Sequence, residues 1–305
     1  LMRTHIAGQR ITTIDRRAKY LLFRMESGAV LVAHLGMTGK FGVMTADAPL
    51  HKHDHLVLVL DNGLEVRYND SRRFGSIVVW PAGRARELEG EFSSREGIEP
   101  FSPQFNGRAL QRLAAGRTAP VKALLMNSRL VSGIGNIYAN EMLFAARIDP
   151  ETPAGALTLR QWNRLVRAGV DILARAIEAG GSTVADFLSA SGHPGYFQLQ
   201  HHVYGRDGQP CRRCGQSVTK TVLAGRATYS CRRCQPPGPA GAADPAPRTP
   251  TSRRKREAET SPGLHREREL STFFCPLRAT GDLCRPLCAY SLYRAGTMWC
   301  RLSSL

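Results

Sequence analysis

The chain has 305 residues, 42% of them hydrophobic, which is enough for a packed core and two domains of ordinary size. No apolar run approaches the roughly 18 residues that a membrane-spanning helix needs. The formal net charge of +17 favours a polyanionic partner, most simply nucleic acid, with a plain solubility charge as the competing reading.

The first residues, LMRTHIAGQR, contain no apolar h-region, so a cytoplasmic protein is expected. From Ile11 to Trp80 the pattern is that of β-strands. TIDRRAKYLLFRMESGAVLVAHLGM alternates apolar and polar residues around Ser27-Gly28. HLVLVLDNGLEVRYND reads as a hairpin, and Asn62-Gly63 suits a type I′ turn. GSIVVW adds a further strand. Several short strands separated by turns predict a sandwich or a small barrel.

From about Asn106 the period becomes helical. GRALQRLAAGRTAPVKALLMN, NIYANEMLFAARI and LTLRQWNRLVRAGVDILARAIEAGG carry apolar residues at three- and four-residue spacing. LVSGIGNIYANEM sets glycines just before a helix start. Free N–H groups there attract anions, so Asn136 is either a plain N-cap or a phosphate ligand. Nearby Arg117, Lys122 and Arg129 tilt the reading toward phosphate. STVADFL reads as a short helix and SGHPGYF as a glycine-rich loop.

Cys211, Cys214, Cys231 and Cys234 form a C-x2-C-x16-C-x2-C pattern. Disulfides or a redox pair are the alternatives. The chain carries no secretion signal, and redox CxxC motifs do not normally come in twos. The spacing favours one structural Zn2+ held by four thiolates. Between the pairs, TKTVLAGRATYS predicts a hairpin with Arg226 at its tip. After Cys234 the chain turns to Pro, Gly, Ala and charge. No apolar period survives there, so 235–305 are expected to be disordered.

Taken together, RRAKYLLF, HLGMTGKF, KHDH, RYNDSRRFG, GIGNIYANEMLF, GGSTVADF, HPGYF, VYGRDGQPC and the four-cysteine hairpin with GRATYSC resemble bacterial formamidopyrimidine-DNA glycosylase. The likeness runs from about residue 9 to Cys234. It implies an α+β two-domain protein: an antiparallel β-sandwich (1–95), a helix–two-turn–helix domain (96–197), a zinc-finger hairpin (198–234) and the tail. It also implies a monomer on damaged double-stranded DNA that excises oxidised purines and nicks by β,δ-elimination.

By the same resemblance, Lys19 is a proton donor at the lesion. Met37, Arg72 and Phe74 fill the gap left by a flipped base. His53, Arg72 and Arg117 contact DNA. Lys122 and Asn136 contact the phosphate beside the lesion, and Arg226 binds that phosphate and assists δ-elimination. The family's chains begin Pro-Glu, as nucleophile and acid, and no PELPEVE-like segment occurs here. The expectation is therefore a chain without its first strand, first helix, nucleophile and acid. That leaves a non-catalytic DNA-binding module as the second reading. His193 stands at a lesion-loop position that is often basic in relatives, and the tail is foreign to the family.

Overall fold

The computed structural model describes residues 1–179, 201–237 and the backbone of 274–277. After a short helix, α1 (Met2–His5), come β1 (Ile11–Arg17), β2 (Tyr20–Met25), β3 (Val30–His34) and β4 (Lys40–Thr45). β5 (Asp54–Leu60), β6 (Leu64–Asn69) and β7 (Ser76–Trp80) follow. One sheet has the order β1-β2-β3-β7, all antiparallel. The second contains β5-β6-β4 and, from the tail, β10 (Phe274–Leu277), which runs parallel to β5. The tail, read from composition as lacking structure, thus supplies one edge strand. Apart from 235–237, the rest of it lies outside the described residues, as do STVADFL, SGHPGYF and His193.

The two sheets form a sandwich. Leu21, Phe23, Leu31 and Ala33 of one sheet meet Leu56, Leu58, Val66 and Tyr68 of the other. Leu22, Val30 and Val32 point the opposite way, onto Leu88 and Phe92 of α2 (Ala85–Arg95). Both faces of β2 are therefore buried, which explains why YLLF is an unbroken apolar run rather than an alternating one. The Asn62-Gly63 turn differs from expectation. Gly63 has φ +78°, but Asn62 is not among the residues with positive φ, so the turn is not type I′. Gly63 N donates to Leu60 O at 3.3 Å and Leu64 N to Asn62 Oδ1 at 3.1 Å, which fits a type I turn closed by a left-handed glycine.

The helical part comprises α3 (Gly107–Ala114), α4 (Val121–Leu125), α5 (Asn136–Ala145) and α6 (Leu159–Glu178). The stretch 107–127, read as one helical period, is split between α3 and α4. Gly116 takes φ +70° and Pro120 lacks the N–H a continuing helix would need. Thr158 and Gln161 form a capping box at the start of α6. Leu110, Val121, Leu125, Met142, Leu143 and Trp162 build this core. The chain then forms a hairpin, β8 (Thr219–Leu223) and β9 (Arg226–Ser230).

Leu31→Ala at the fully buried centre of β3 is expected to cost about 3 kcal/mol of stability. Urea unfolding monitored by circular dichroism measures the loss.

Candidate nucleic-acid interface and metal site

The four cysteines of the CxxC pairs come together at one end of the β8–β9 hairpin. Their sulfurs all lie within 4.8 Å of one another. Cys211 and Cys234 Sγ are 3.9 Å apart, and Cys214 and Cys231 Sγ 3.5 Å. Ligands at Zn–S distances of about 2.3 Å in a tetrahedron have edges of about 3.8 Å, close to these two separations, so the set is arranged to hold zinc. None of the four is in a disulfide. Each pair sits on a tight turn: Gly215 N donates to Cys211 O at 2.9 Å and Gln235 N to Cys231 O at 2.8 Å. An all-sulfur set leaves no open coordination position, so this is a closed, structural zinc site.

At the far end of the hairpin, Ala224 (φ +48°) and Gly225 (φ +72°) make a two-residue turn. Leu223 pairs with Arg226. The tip is therefore Ala224-Gly225, and Arg226 is the first residue of β9, one position beyond the loop predicted for it. It is exposed.

Several side chains of the helical domain fasten β9. Lys122 Nζ donates to Ala227 O at 2.9 Å and to Thr228 Oγ1 at 2.7 Å. Asn136 Nδ2 donates to the same Ala227 O at 3.0 Å. Asn140 Oδ1 accepts from Tyr229 N at 2.8 Å. Lys122 and Asn136 thus meet at the residue beside Arg226. Lys122 is only 1% exposed. Burial, and then the neighbouring Arg226 charge, lower its pKa to about 8. Asn136 is the first residue of α5, and Gly135 holds the N-cap position, so the plain N-cap alternative is not what the structure contains.

Glu141, within the NIYANE motif, was not predicted. Its Oε1 accepts from Val203 N at 3.0 Å and Tyr204 N at 2.9 Å, and its Oε2 from His202 N at 2.9 Å. Burial pushes its pKa up, but hydrogen bonds from His202, Val203 and Tyr204 outweigh that and hold it below the ordinary value. The segment leading into the zinc hairpin is anchored on this one carboxylate. A charged residue in an otherwise apolar helical run was the available signal.

Lys19 sits on the β1–β2 turn beside Ala18, whose φ of +52° is rare for a residue with a side chain. Glu99 holds that turn. Its Oε1 accepts from Ala18 N at 2.5 Å and its Oε2 from Arg16 Nη1 at 3.1 Å, while Arg16 Nη1 also donates to Ala18 O at 2.7 Å. Lys19 Nζ in turn donates to Ile134 O at 3.4 Å, in the loop before α5. Burial lowers the Lys19 pKa, Glu96 opposes the shift, and Arg226 adds to it. The sandwich lysine and the hairpin arginine therefore share one electrostatic field. His34, also unforeseen, is lowered by burial and by Lys19, and its Nδ1 accepts from Gly36 N at 3.1 Å.

On the sandwich rim, Met37 is 68% and Phe74 58% exposed, and the Arg72 guanidinium lies 4.6 Å from the Phe74 ring centroid. His53 has φ +76° and accepts from Asp70 N through its carbonyl at 3.1 Å. Arg117 Nε donates to Leu113 O at 2.6 Å, a contact with α3 rather than with the cluster around Arg226.

A β-sandwich, a helical domain whose α5 start faces a zinc-stapled basic hairpin, and exposed apolar side chains on a rim define a zinc-containing DNA-binding protein of the helix–two-turn–helix class. Residues 2–77 match the model of the formamidopyrimidine-DNA glycosylase N-terminal domain, and 97–187 match that of the glycosylase's H2TH domain. Residues 208–237 match the zinc finger found in FPG and IleRS. The chain is 47% identical over 230 residues to formamidopyrimidine-DNA glycosylase of Laribacter hongkongensis, covering 75% of this chain and 84% of that protein. It is 45% identical over 231 residues to the Shigella dysenteriae enzyme, with 75% and 84% covered. The chain belongs to the formamidopyrimidine-DNA glycosylase family. Among solved structures, the MutM (Fpg) protein of Thermus thermophilus aligns with TM-score 0.67 at 44% identity, covering 76% of this chain and 85% of that one. A Lactococcus lactis FPG mutant bound to Fapy-dG-containing DNA aligns with TM-score 0.71 at 34% identity, covering 77% and 85%.

Removing zinc with a strong chelator, or making Cys231→Ser, is expected to unfold the hairpin and weaken DNA binding. Metal analysis should return one zinc per chain beforehand. DNA binding unchanged by either treatment would contradict the site's structural role. Because Glu141 has a depressed pKa, its contribution is present above the ordinary glutamate value of about 4.3 and is lost as pH falls through the lower folded-state value. Protection of the Val203 and Tyr204 amides against hydrogen exchange, relative to their intrinsic rates, should therefore persist from neutral pH through the ordinary glutamate range and be lost only below it.

Proposed function

We propose that this chain recognises oxidised purines in duplex DNA and serves base excision and AP-lyase strand cleavage, with the phosphate beside the lesion seated between Lys19, Asn136, Lys122 and Arg226. The observation that carries this reading is the convergence of those four residues, from two domains and the hairpin, around the N-terminus of α5. A helix N-terminus ringed by cations is a site for a phosphate. Met37 and Phe74 replace lost stacking where the damaged nucleotide leaves the helix, and Arg72 hydrogen-bonds the orphaned base. His53 and Arg117 add contacts to the backbone.

Excision and cleavage need an amine that adds to C1′ and forms a Schiff base, then loss of the two phosphates by elimination. By resemblance that amine is a terminal proline. The contributions of Lys19 and Arg226 are protonic and electrostatic. Lys19, with its lowered pKa, donates a proton during elimination. Arg226 holds the departing phosphate. The reading places the protein in the cytoplasm, acting as a monomer. No helix among the described residues is long and apolar enough to cross a membrane.

Borohydride trapping on duplex containing 8-oxoguanine separates catalysis from binding. A covalent adduct supports the enzymatic reading, and DNA binding without one supports a non-catalytic module. Arg226→Ala should weaken lesion-duplex binding about tenfold and reduce the magnitude of the salt slope by about one. Unchanged affinity and slope would remove Arg226 from the phosphate site.

A further inference from the structure

The wedge side chains stand on separate loops: Met37 between β3 and β4, Arg72 and Phe74 between β6 and β7. Asp70, 1% exposed, is the first residue of the second loop, and its buried carboxylate bonds to both. Thr38 Oγ1 donates to its Oδ1 at 2.5 Å. Gly75 N donates to its Oδ2 at 2.8 Å and Tyr68 OH at 3.1 Å. Thr38 Oγ1 also accepts from Arg72 N at 3.2 Å. Thr38 follows Met37 in sequence, and Gly75 follows Phe74. A closed path therefore runs from Met37 through Thr38, Asp70 and Gly75 to Phe74. The loops also touch directly, since a Cβ on Gly36 would fall 2.6 Å from Phe74 C and Gly75 N.

We propose that Asp70 and Thr38 are positioning residues whose hydrogen-bonded bridge locks Met37, Arg72 and Phe74 into one rigid wedge, so that the two loops enter the DNA stack as a unit. Neither residue needs to touch DNA. An apolar side chain compensates for lost stacking only if it is held where the base was. Two independently mobile loops would lose their freedom on binding, which weakens the complex. A buried carboxylate suits the task, because its hydrogen bonds are charge-assisted and those from Thr38 and Tyr68 are shielded from competing water. The Thr38 hydroxyl, both donor and acceptor, ties the Met37 loop to Asp70 and to Arg72 N. The inference rests on the proposed wedge roles of Met37, Arg72 and Phe74.

The full chain is tested on duplexes carrying a tetrahydrofuran abasic-site analogue opposite cytosine or adenine, with 2-aminopurine beside the orphaned base as a stacking reporter. Thr38→Val should weaken binding to the analogue duplex about tenfold, flatten the preference between opposite bases and abolish the fluorescence rise on binding. Thr38→Ser, which keeps the hydroxyl, should stay within about twofold of the parent in each readout. A merely structural role would not shift the opposite-base preference. The bridge is refuted if Thr38→Val matches the parent in all readouts, or if Thr38→Ser loses as much as Thr38→Val. If Thr38→Val fails to fold, amide exchange of the parent chain decides. Slow exchange at Arg72 supports the bridge, and exchange at the rate of an open loop refutes it. If the parent shows no preference for the analogue duplex, the wedge assignment falls and the bridge falls with it. A parent preference that Thr38→Val retains sinks the bridge alone.

Discussion

The arrangement of the candidate site is governed by the burial of positive charge. Lys19, Lys122 and Arg226 come from the sandwich, the helical domain and the hairpin. Burial is the main cause that lowers the pKa of both lysines, with a smaller contribution from the Arg226 charge. The fold answers with the Glu96 carboxylate, which opposes the shift at Lys19, and with neutral acceptors: Ile134 O for Lys19, and Ala227 O with Thr228 Oγ1 for Lys122. The zinc site and the hydrogen bonds to β9 then remove the freedom by which the hairpin would relax away. Under the proposed reading, this makes a phosphate site assembled before the phosphate arrives, with little ordering left for binding to accomplish.

Behind this cationic face stand three buried carboxylates with a common role. Glu99 accepts from Ala18 N and fixes the Lys19 turn. Glu141 accepts from three successive amides and fixes the approach to the zinc hairpin. Asp70 accepts from Gly75 N and Thr38 and fixes the rim loops. In each case the negative charge is spent on backbone and neighbouring side chains rather than turned toward the surface. A carboxylate facing DNA would repel it, whereas one satisfied from behind shapes a loop at no cost to the outward positive potential. A basic protein thus uses its acids as internal fasteners.

The legible part of the sequence was the part with local physics. CxxC spacing constrains thiolate geometry within one turn, and it led to the right metal set. The apolar spacing of LTLRQWNRLVRAGVDILARAIEAGG marked a helix that the structure retains as α6, and the structure adds the Thr158–Gln161 capping box at its start. Asn62-Gly63 marked a turn but not its type, because dipeptide preference cannot report how strand register closes: Asn62 kept negative φ and only Gly63 inverted. The run from Gly107 to Asn127 kept its helical period across a break, since the apolar spacing of α3 and α4 happens to continue in phase. Sequence separation hid the three carboxylates. Glu99 lies 81 residues from Ala18, and Glu141 reaches amides 61 to 63 residues away. Nothing local distinguishes such an acid from a solvated one except its place in an apolar run.

Under the proposed reading, the arrival of a phosphate counters the electrostatics of the free site. The anion favours the charged form of each lysine and so opposes the lowering that burial imposes on Lys19 and Lys122. The charged form is the state a proton donor in elimination requires. The zinc-stapled hairpin and the Glu99 turn supply the stiffness that keeps the cations where that anion meets them.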